Sequence, residues 1–167
     1  MLLRKTKYDE IEKVMKIVRD AQEYFKNQGI DQWQNNYPNE EVIKKDIDNN
    51  ISYVLMDQNR IIGTIVIDFE IERTYEKIYE GEWLSEGEYA VIHRVAIADD
   101  YKGRGIAGLM IKEVEKIVRE NGVNAVKGDT HRDNQSMQRL FIKNGFKKCG
   151  IIYLADGSER IAFQKLL

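Results

Sequence analysis

Gly103, Gly105 and Gly108 stand in the run Asp99-Asp100-Tyr101-Lys102-Gly103-Arg104-Gly105-Ile106-Ala107-Gly108, between an apolar, strand-like stretch over 91–97 and an amphipathic, helix-like one. Glycines at such a turn let backbone N–H groups approach a ligand with no Cβ in the way. The start of the helix adds partial positive charge at the same place. Phosphates are the ligands such a turn attracts, and a diphosphate is the expected ligand of 102–108. His93 lies on the preceding strand. An imidazole with a pKa of about 6.5 suits a general base at neutral pH. By two-residue alternation His93 shares a strand face with Val91, Val95 and Ile97. Its structural reading, a hydrogen-bonded histidine between sheet and helix, stands beside the catalytic one. Asp129 and His131 are secondary candidates for the same proton.

The glycines spell G-x-G-x-x-G, and Asp129 follows about 20 residues later after a second strand-like segment, as in a dinucleotide fold. The surrounding elements argue for a different frame. A short strand over 2–6 precedes a helix over 9–26, where Ile11, Val14, Met15, Val18, Ala21 and Phe25 recur at spacings of three and four. Gly29 stops it. An aromatic, amide-rich loop over 32–38 leads to a helix capped by Asn39 and running to Asp48, with Val42, Ile43 and Ile47 inward. Strands over 51–56 and 61–69 flank a hairpin turn. Residues 70–88 form a polar, tyrosine-rich, irregular excursion. A strand over 91–98 leads to a helix over 105–121 that turns Ile106, Leu109, Met110, Val114, Ile117 and Val118 to the sheet. Gly122 ends that helix. A strand over 125–130 leads to a helix capped by Asp133 or Asn134, and a hairpin over 148–154 and 160–166 closes the chain. The order β-α-α-β-β-β-α-β-α-β-β predicts an α+β domain. Its sheet is mixed and mostly antiparallel, with about seven strands, four flanking helices and one central β-α-β crossover. A doubly wound dinucleotide fold would alternate strands and helices throughout.

The run from Val95 to Ala107 resembles the coenzyme A signature of the GCN5-related N-acetyltransferases (GNAT), R/Q-x-x-G-x-G/A at a strand–helix junction. Lys102 stands where the family usually has Arg or Gln, and Gly105 and Ala107 fill the two small positions. Downstream, Asn134-Gln135-Ser136-Met137-Gln138-Arg139-Leu140-Phe141-Ile142-Lys143-Asn144-Gly145-Phe146 is similar to the family's second motif, an Asn followed by L-Y-x-K-x-G-F. The resemblance covers nearly the whole chain, though the first third matches only in layout. It implies acetyl-CoA as acyl donor and an N-acetyltransferase over 1–167. In the family the strand over 91–97 splays from its parallel neighbour. By that position, backbone groups of Val95, Ala96 and Ile97 would hold the pantetheine arm and polarise the thioester. The N–H groups of Lys102, Gly103, Arg104, Gly105, Ile106, Ala107 and Gly108 would hold the diphosphate, and Asn134 would contact the pantetheine arm. His93 falls where some members carry a proton-relaying His or Glu. Phe141 replaces the family's tyrosine, often the acid that reprotonates the thiolate. It is a candidate to pack against the cofactor or to sit in the core. A thiol with a pKa of about 8.5 can leave unprotonated, so the reaction survives this loss. The replacement also leaves open a non-catalytic acyl-CoA sensor.

Acceptor specificity is expected in the first two helices, the 32–37 loop and the 70–88 excursion. Trp33, Tyr37 and Trp83 are the candidates to line an apolar acceptor pocket, with Glu82, Glu86 and Glu88 drawing a cationic amine. Both tryptophans serve equally well as core residues. Transfer is expected to be direct, since the lone Cys149 shows no paired base.

Composition sets the outer limits. The chain has 167 residues, 43% hydrophobic and 32% charged, with a single cysteine and a single proline, Pro38. That is one ordinary soluble domain with no linker or repeat. A net charge of −2 gives no nucleic-acid footprint. One cysteine fits a reducing compartment. No apolar run approaches the roughly 20 residues that span a bilayer. The first residues lack the apolar core of a signal peptide, so a cytoplasmic protein without membrane partners is expected. No metal is expected, the acceptor is a small-molecule or peptide amine, and a homodimer is left open.

Overall fold

The computed structural model describes residues Met1–Leu167. Seven strands and four α-helices follow the expected order. They are β1 (Leu2–Lys5), α1 (Ile11–Asn27), α2 (Glu40–Asp48), β2 (Ser52–Asp57), β3 (Arg60–Asp68), β4 (Ala90–Ile97), α3 (Ile106–Glu120), β5 (Ala125–Thr130), α4 (Gln135–Lys143), β6 (Lys147–Tyr153) and β7 (Glu159–Leu166). The strand order is β1-β2-β3-β4-β5-β7-β6. Only β4 and β5 run parallel; their ladder is short and registers Ala90 with Val126 and Val91 with Lys127. Consecutive pairing of β1 to β4, a single parallel pair across α3, and β7 seated antiparallel between β5 and β6 exclude the doubly wound dinucleotide fold.

The chain forms two compact units, Met1–Ile67 with His93–Val114, and Asp68–Ile92 with Glu115–Leu167. In the first unit the apolar stripe of α1 packs with Ile43 of α2, Val54 of β2, Ile61 of β3, and Ala96 and Ala98 at the end of β4. The Asn39 side chain caps α2 by accepting from Val42 N–H at 3.1 Å. On α2 Ile43 is buried as expected and Ile47 packs half-buried against the same core, while Val42 is half-buried and the buried Asp46 joins the inward side. On α3 Leu109 points to solvent, while Ile111 is buried. A Cβ on Gly63 of β3 would come within 2.8 Å of Ile97 Cδ1 and 3.2 Å of the Ala96 carbonyl, so a side chain there would crowd the end of β4.

In the second unit Tyr75, Val91, Ile152 and Ala162 make one cluster, joined by Ile78, Trp83, Tyr89 and Leu154. The 70–88 segment has little regular structure, yet it is tied down along its length. Tyr79 and Ile151 exchange N–H···O bonds of 2.8 Å, and Glu82 N–H donates to the Cys149 carbonyl at 3.0 Å. Gly81 passes so close to that carbonyl that no Cβ would fit. The fully buried Gln164 accepts from Leu84 N–H at 2.7 Å and donates to the Ser85 hydroxyl at 3.0 Å.

Candidate active site

Strand β4 reads as a regular strand, but its middle is kinked. Arg94 has a φ of 51°, a left-handed conformation that costs a side-chain-bearing residue about 1–2 kcal/mol. Two-residue alternation therefore stops at Arg94, and the expected common face of Val91, His93, Val95 and Ile97 does not form. A buried ion pair lies at the kink. Arg94 Nε donates to Asp46 Oδ2 at 2.8 Å and Nη2 donates to Oδ1 at 2.6 Å. Asp46 is 4% exposed. The remaining arm, Nη1, donates to the Tyr37 hydroxyl at 2.9 Å. Burial opposes the guanidinium charge; Tyr37 and Asp46 outweigh it and hold Arg94 above the usual arginine value. A paired, forked contact is what a buried arginine needs. His93, directly before Arg94, is half-buried. Val95 is half-buried, and Ala96 and Ile97 are buried just after the kink.

Past β4 the chain makes a one-turn helix, Asp99–Tyr101, and then the glycine turn. Gly103 and Gly105 have φ values of 75° and 76°, which only glycine adopts without strain. A Cβ at either would meet nothing, so backbone conformation rather than crowding selects glycine here. Leu109 N–H donates to the Gly105 carbonyl at 3.2 Å and is the first in the new helix to find a backbone acceptor. The N–H groups of Gly103, Arg104, Gly105, Ile106, Ala107 and Gly108 have no acceptor within the chain, whereas Lys102 N–H, expected among the diphosphate donors, instead donates to the Asp99 carbonyl at 3.2 Å. Unbonded donors at a helix start fit a diphosphate. The basic side chains beside them are otherwise engaged. Lys102 Nζ pairs with Asp99 at 2.5 Å and lies 5.0 Å over the Tyr24 ring. Arg104 lies 5.5 Å over the Tyr101 ring. The tight turn before them is braced by Arg60, which grips Asp100 through two bonds of 2.6 and 2.9 Å.

The 32–38 loop is fastened to α1. Gln22 Nε2 donates to the Pro38 carbonyl at 3.0 Å, and Gln34 Nε2 donates to the Gln22 carbonyl at 3.2 Å. Trp33 packs edge-on against Phe25 of α1 at 5.6 Å, which makes it in large part a core residue. Tyr37 is exposed and reaches β4 through Arg94.

In the second unit Asn134 caps α4, its Oδ1 accepting from Met137 N–H at 3.0 Å. Phe141 corrects an expectation: at 0% exposure it offers no surface to a cofactor. Its ring stacks on Phe163 at 4.8 Å and tilts against Phe146 at 4.9 Å. His131 Nδ1 accepts from Asp133 N–H at 3.1 Å and so shapes the turn before α4. Asp129 accepts from the Tyr75 hydroxyl at 2.6 Å. Burial, reinforced by Asp129, pushes Tyr75 well above the usual phenol value, so it stays protonated as a donor. Trp83 donates through Nε1 to the Tyr75 carbonyl at 2.9 Å and is another anchor of the segment. Cys149 is buried, and burial pushes its thiol up, which disfavours a thiolate nucleophile.

Lys127 was invisible as a special residue in the sequence. Its side chain is buried, with Nζ 4.0 Å over Trp83 and 3.9 Å over Tyr89. Burial lowers its amine to about 8. Between pH 8 and 9.5 the unfolded chain keeps this proton and the folded chain sheds it, so folding stability gains from Lys127 as pH rises. Urea unfolding should show that rise in the parent protein and lose it in Lys127→Met. An equal rise in both would assign the pH dependence elsewhere.

Comparison with known proteins agrees with the fold. The acetyltransferase (GNAT) family model matches residues 14–146. A GNAT-family acetyltransferase from Streptococcus agalactiae is 30% identical, with 99% of this chain and 95% of that one covered and a TM-score of 0.91. A putative acetyltransferase from Staphylococcus aureus Mu50 is 27% identical over 99% of both chains, with a TM-score of 0.74. A chain of the NatC complex bound to Gag peptide and CoA shares the fold at 17% identity, with 99% of this chain and 98% of that one covered and a TM-score of 0.68. No curated protein matches in sequence. The chain belongs to the GNAT acetyltransferase family. Acetyl-CoA-dependent N-acetylation is the general reaction of that family.

Proposed function

We propose that residues 1–167 act as one cytoplasmic N-acetyltransferase that moves the acetyl group of acetyl-CoA directly to a primary amine of a small molecule, amino acid or peptide. The observation that carries this reading is the run of N–H groups from Gly103 to Gly108 without acceptors, opening α3 directly after a kinked β4. These donors take the diphosphate. Backbone groups of Val95, Ala96 and Ile97, just before the turn, take the pantetheine arm and polarise the thioester oxygen. Donors so placed lower such barriers by roughly 3 kcal/mol each. His93, on the same strand, accepts the proton of the attacking amine. The amine nitrogen bonds the carbonyl carbon, the C–S bond breaks, and the thiolate leaves with the electron pair. The CoA held by the NatC fold relative supports the choice of donor.

Phe141 favours a second reading, an acyl-CoA-binding sensor that does not turn over, because a fully buried phenylalanine cannot protonate the thiolate. A thiol-release assay with acetyl-CoA decides between the two over a panel of polyamines, amino acids, aminoglycosides and peptide N-termini. The transferase reading expects release above hydrolysis with at least one amine. A clear thermal shift with coenzyme A and no release from any amine would favour the sensor. Stabilisation by NAD but not by coenzyme A would overturn both.

A further inference from the structure

We infer that Arg94 is a positioning residue, locked by Asp46 so that β4 keeps its left-handed kink, and tied through Tyr37 to the 32–37 loop. The inference rests on the transferase reading for its consequence in catalysis, but the lock itself stands on geometry. Three elements meet at one guanidinium. Nε and Nη2 fork onto the Asp46 carboxylate of α2, at 2.8 and 2.6 Å. Nη1 reaches the Tyr37 hydroxyl at 2.9 Å. The backbone of the same residue carries the φ of 51° between His93 and Val95. An arginine has no intrinsic preference for that conformation, so the side chain must hold what the backbone disfavours. The pair is well shielded from solvent, with 16% of the Arg94 side chain and 5% of the Asp46 side chain exposed. Two parallel bonds fix both distance and orientation.

The consequence falls on the residues either side. A strand without the kink would resume two-residue alternation. It would turn His93 and the amides of Val95, Ala96 and Ile97 to new directions. The glycine turn begins beyond Ile97 and carries its own left-handed glycines, so diphosphate binding does not depend on the lock. Arg94 thus acts on the reacting end of the donor rather than on its affinity. Tyr37 extends the same control to an exposed loop that Gln22 and Gln34 fasten to α1.

Three variants of the full chain test this. Arg94→Gly keeps the left-handed backbone free of strain but removes the lock. Arg94→Lys keeps one charge toward Asp46 without the fork. Asp46→Asn keeps the shape and removes the carboxylate charge. Amide hydrogen exchange at Val95–Ile97 should quicken at least tenfold in Arg94→Gly, while coenzyme A affinity by calorimetry stays within about threefold of the parent. With an amine that the parent acetylates, kcat should fall at least tenfold at little change in KM for acetyl-CoA. Arg94→Lys should recover part of that loss, and Asp46→Asn should fall between the two. Unchanged exchange in Arg94→Gly would overturn the lock whether or not the parent turns over any amine. Unchanged kcat, or a loss of coenzyme A affinity parallel to the loss of kcat, would overturn the positioning role. A parent that binds coenzyme A but acetylates nothing would instead refute the transferase reading, and the exchange result would still decide the lock.

Discussion

Replacing His93 with alanine should lower turnover at neutral pH by about 100-fold, a barrier increase of about 2.7 kcal/mol, while coenzyme A still binds. The separation follows from where the two functions lie. On the proposed function, binding falls to the backbone of 103–108, whose N–H groups have no acceptor in the chain and whose conformation needs only its glycines. Proton transfer then falls to the His93 imidazole, next to the left-handed Arg94. At neutral pH an alkyl amine is an ammonium and attacks a thioester only after giving one proton to solvent. As the free amine bonds the carbonyl carbon its nitrogen sheds a second proton, which a neutral imidazole can accept. The pH–rate profile of the parent should therefore rise through the histidine range and flatten above it. In His93→Ala that limb should disappear. If the variant kept the parent's profile at a reduced rate, His93 would be a packing residue of β4. Asp129 would then be the next group to test, with Tyr75 as its hydrogen-bond donor.

The parts of the molecule that sequence made legible are those set by local rules. The strand at 125–130 stands at its expected bounds, Asn39 caps α2 as expected, and of the two candidates Asp133 and Asn134 it is Asn134 that caps α4. The glycines at 103 and 105 stand in the expected turn, and their positive φ angles add a reason for glycine beyond the missing Cβ. What stayed hidden depends on partners far along the chain. Arg94 sits in a stretch, IHRVAI, that looks like an ordinary strand, because alternation carries no signal for a left-handed arginine. Its cause is Asp46, 48 positions earlier. The one hint was on α2, where Asp46 falls three residues after the buried Ile43, on the inward stripe. The 70–88 segment looked irregular and is irregular, but Gly81, Gln164 and the Tyr79–Ile151 bridge fasten it across long sequence distances. Leu109 and Ile111 exchanged roles because spacings of three and four leave the phase of a helix uncertain by a fraction of a turn.

Truncating Phe141 should cost about 3–5 kcal/mol of stability with little loss of turnover per folded molecule. The ring is fully buried, stacked on Phe163 and tilted on Phe146. It lies so close to Gly128 of β5 that a Cβ there would come within 2.7 Å of Cζ. Gly128 thus makes room for Phe141, and the two positions act as one packing unit. The family's tyrosine would carry its hydroxyl on that same Cζ, against the β5 backbone. This site has therefore been given to the core, and Phe141→Tyr should crowd it rather than restore an acid. Transfer can proceed without that acid, because a thiol with a pKa of about 8.5 leaves readily as its anion. Urea unfolding and thiol release, measured on Phe141→Ala at a temperature where it remains folded, separate the two roles. A large loss of stability with kcat within about threefold of the parent identifies a core residue. A large fall in kcat with stability intact would mean that the ring meets the reactants after all, and that the buried position changes when acetyl-CoA binds.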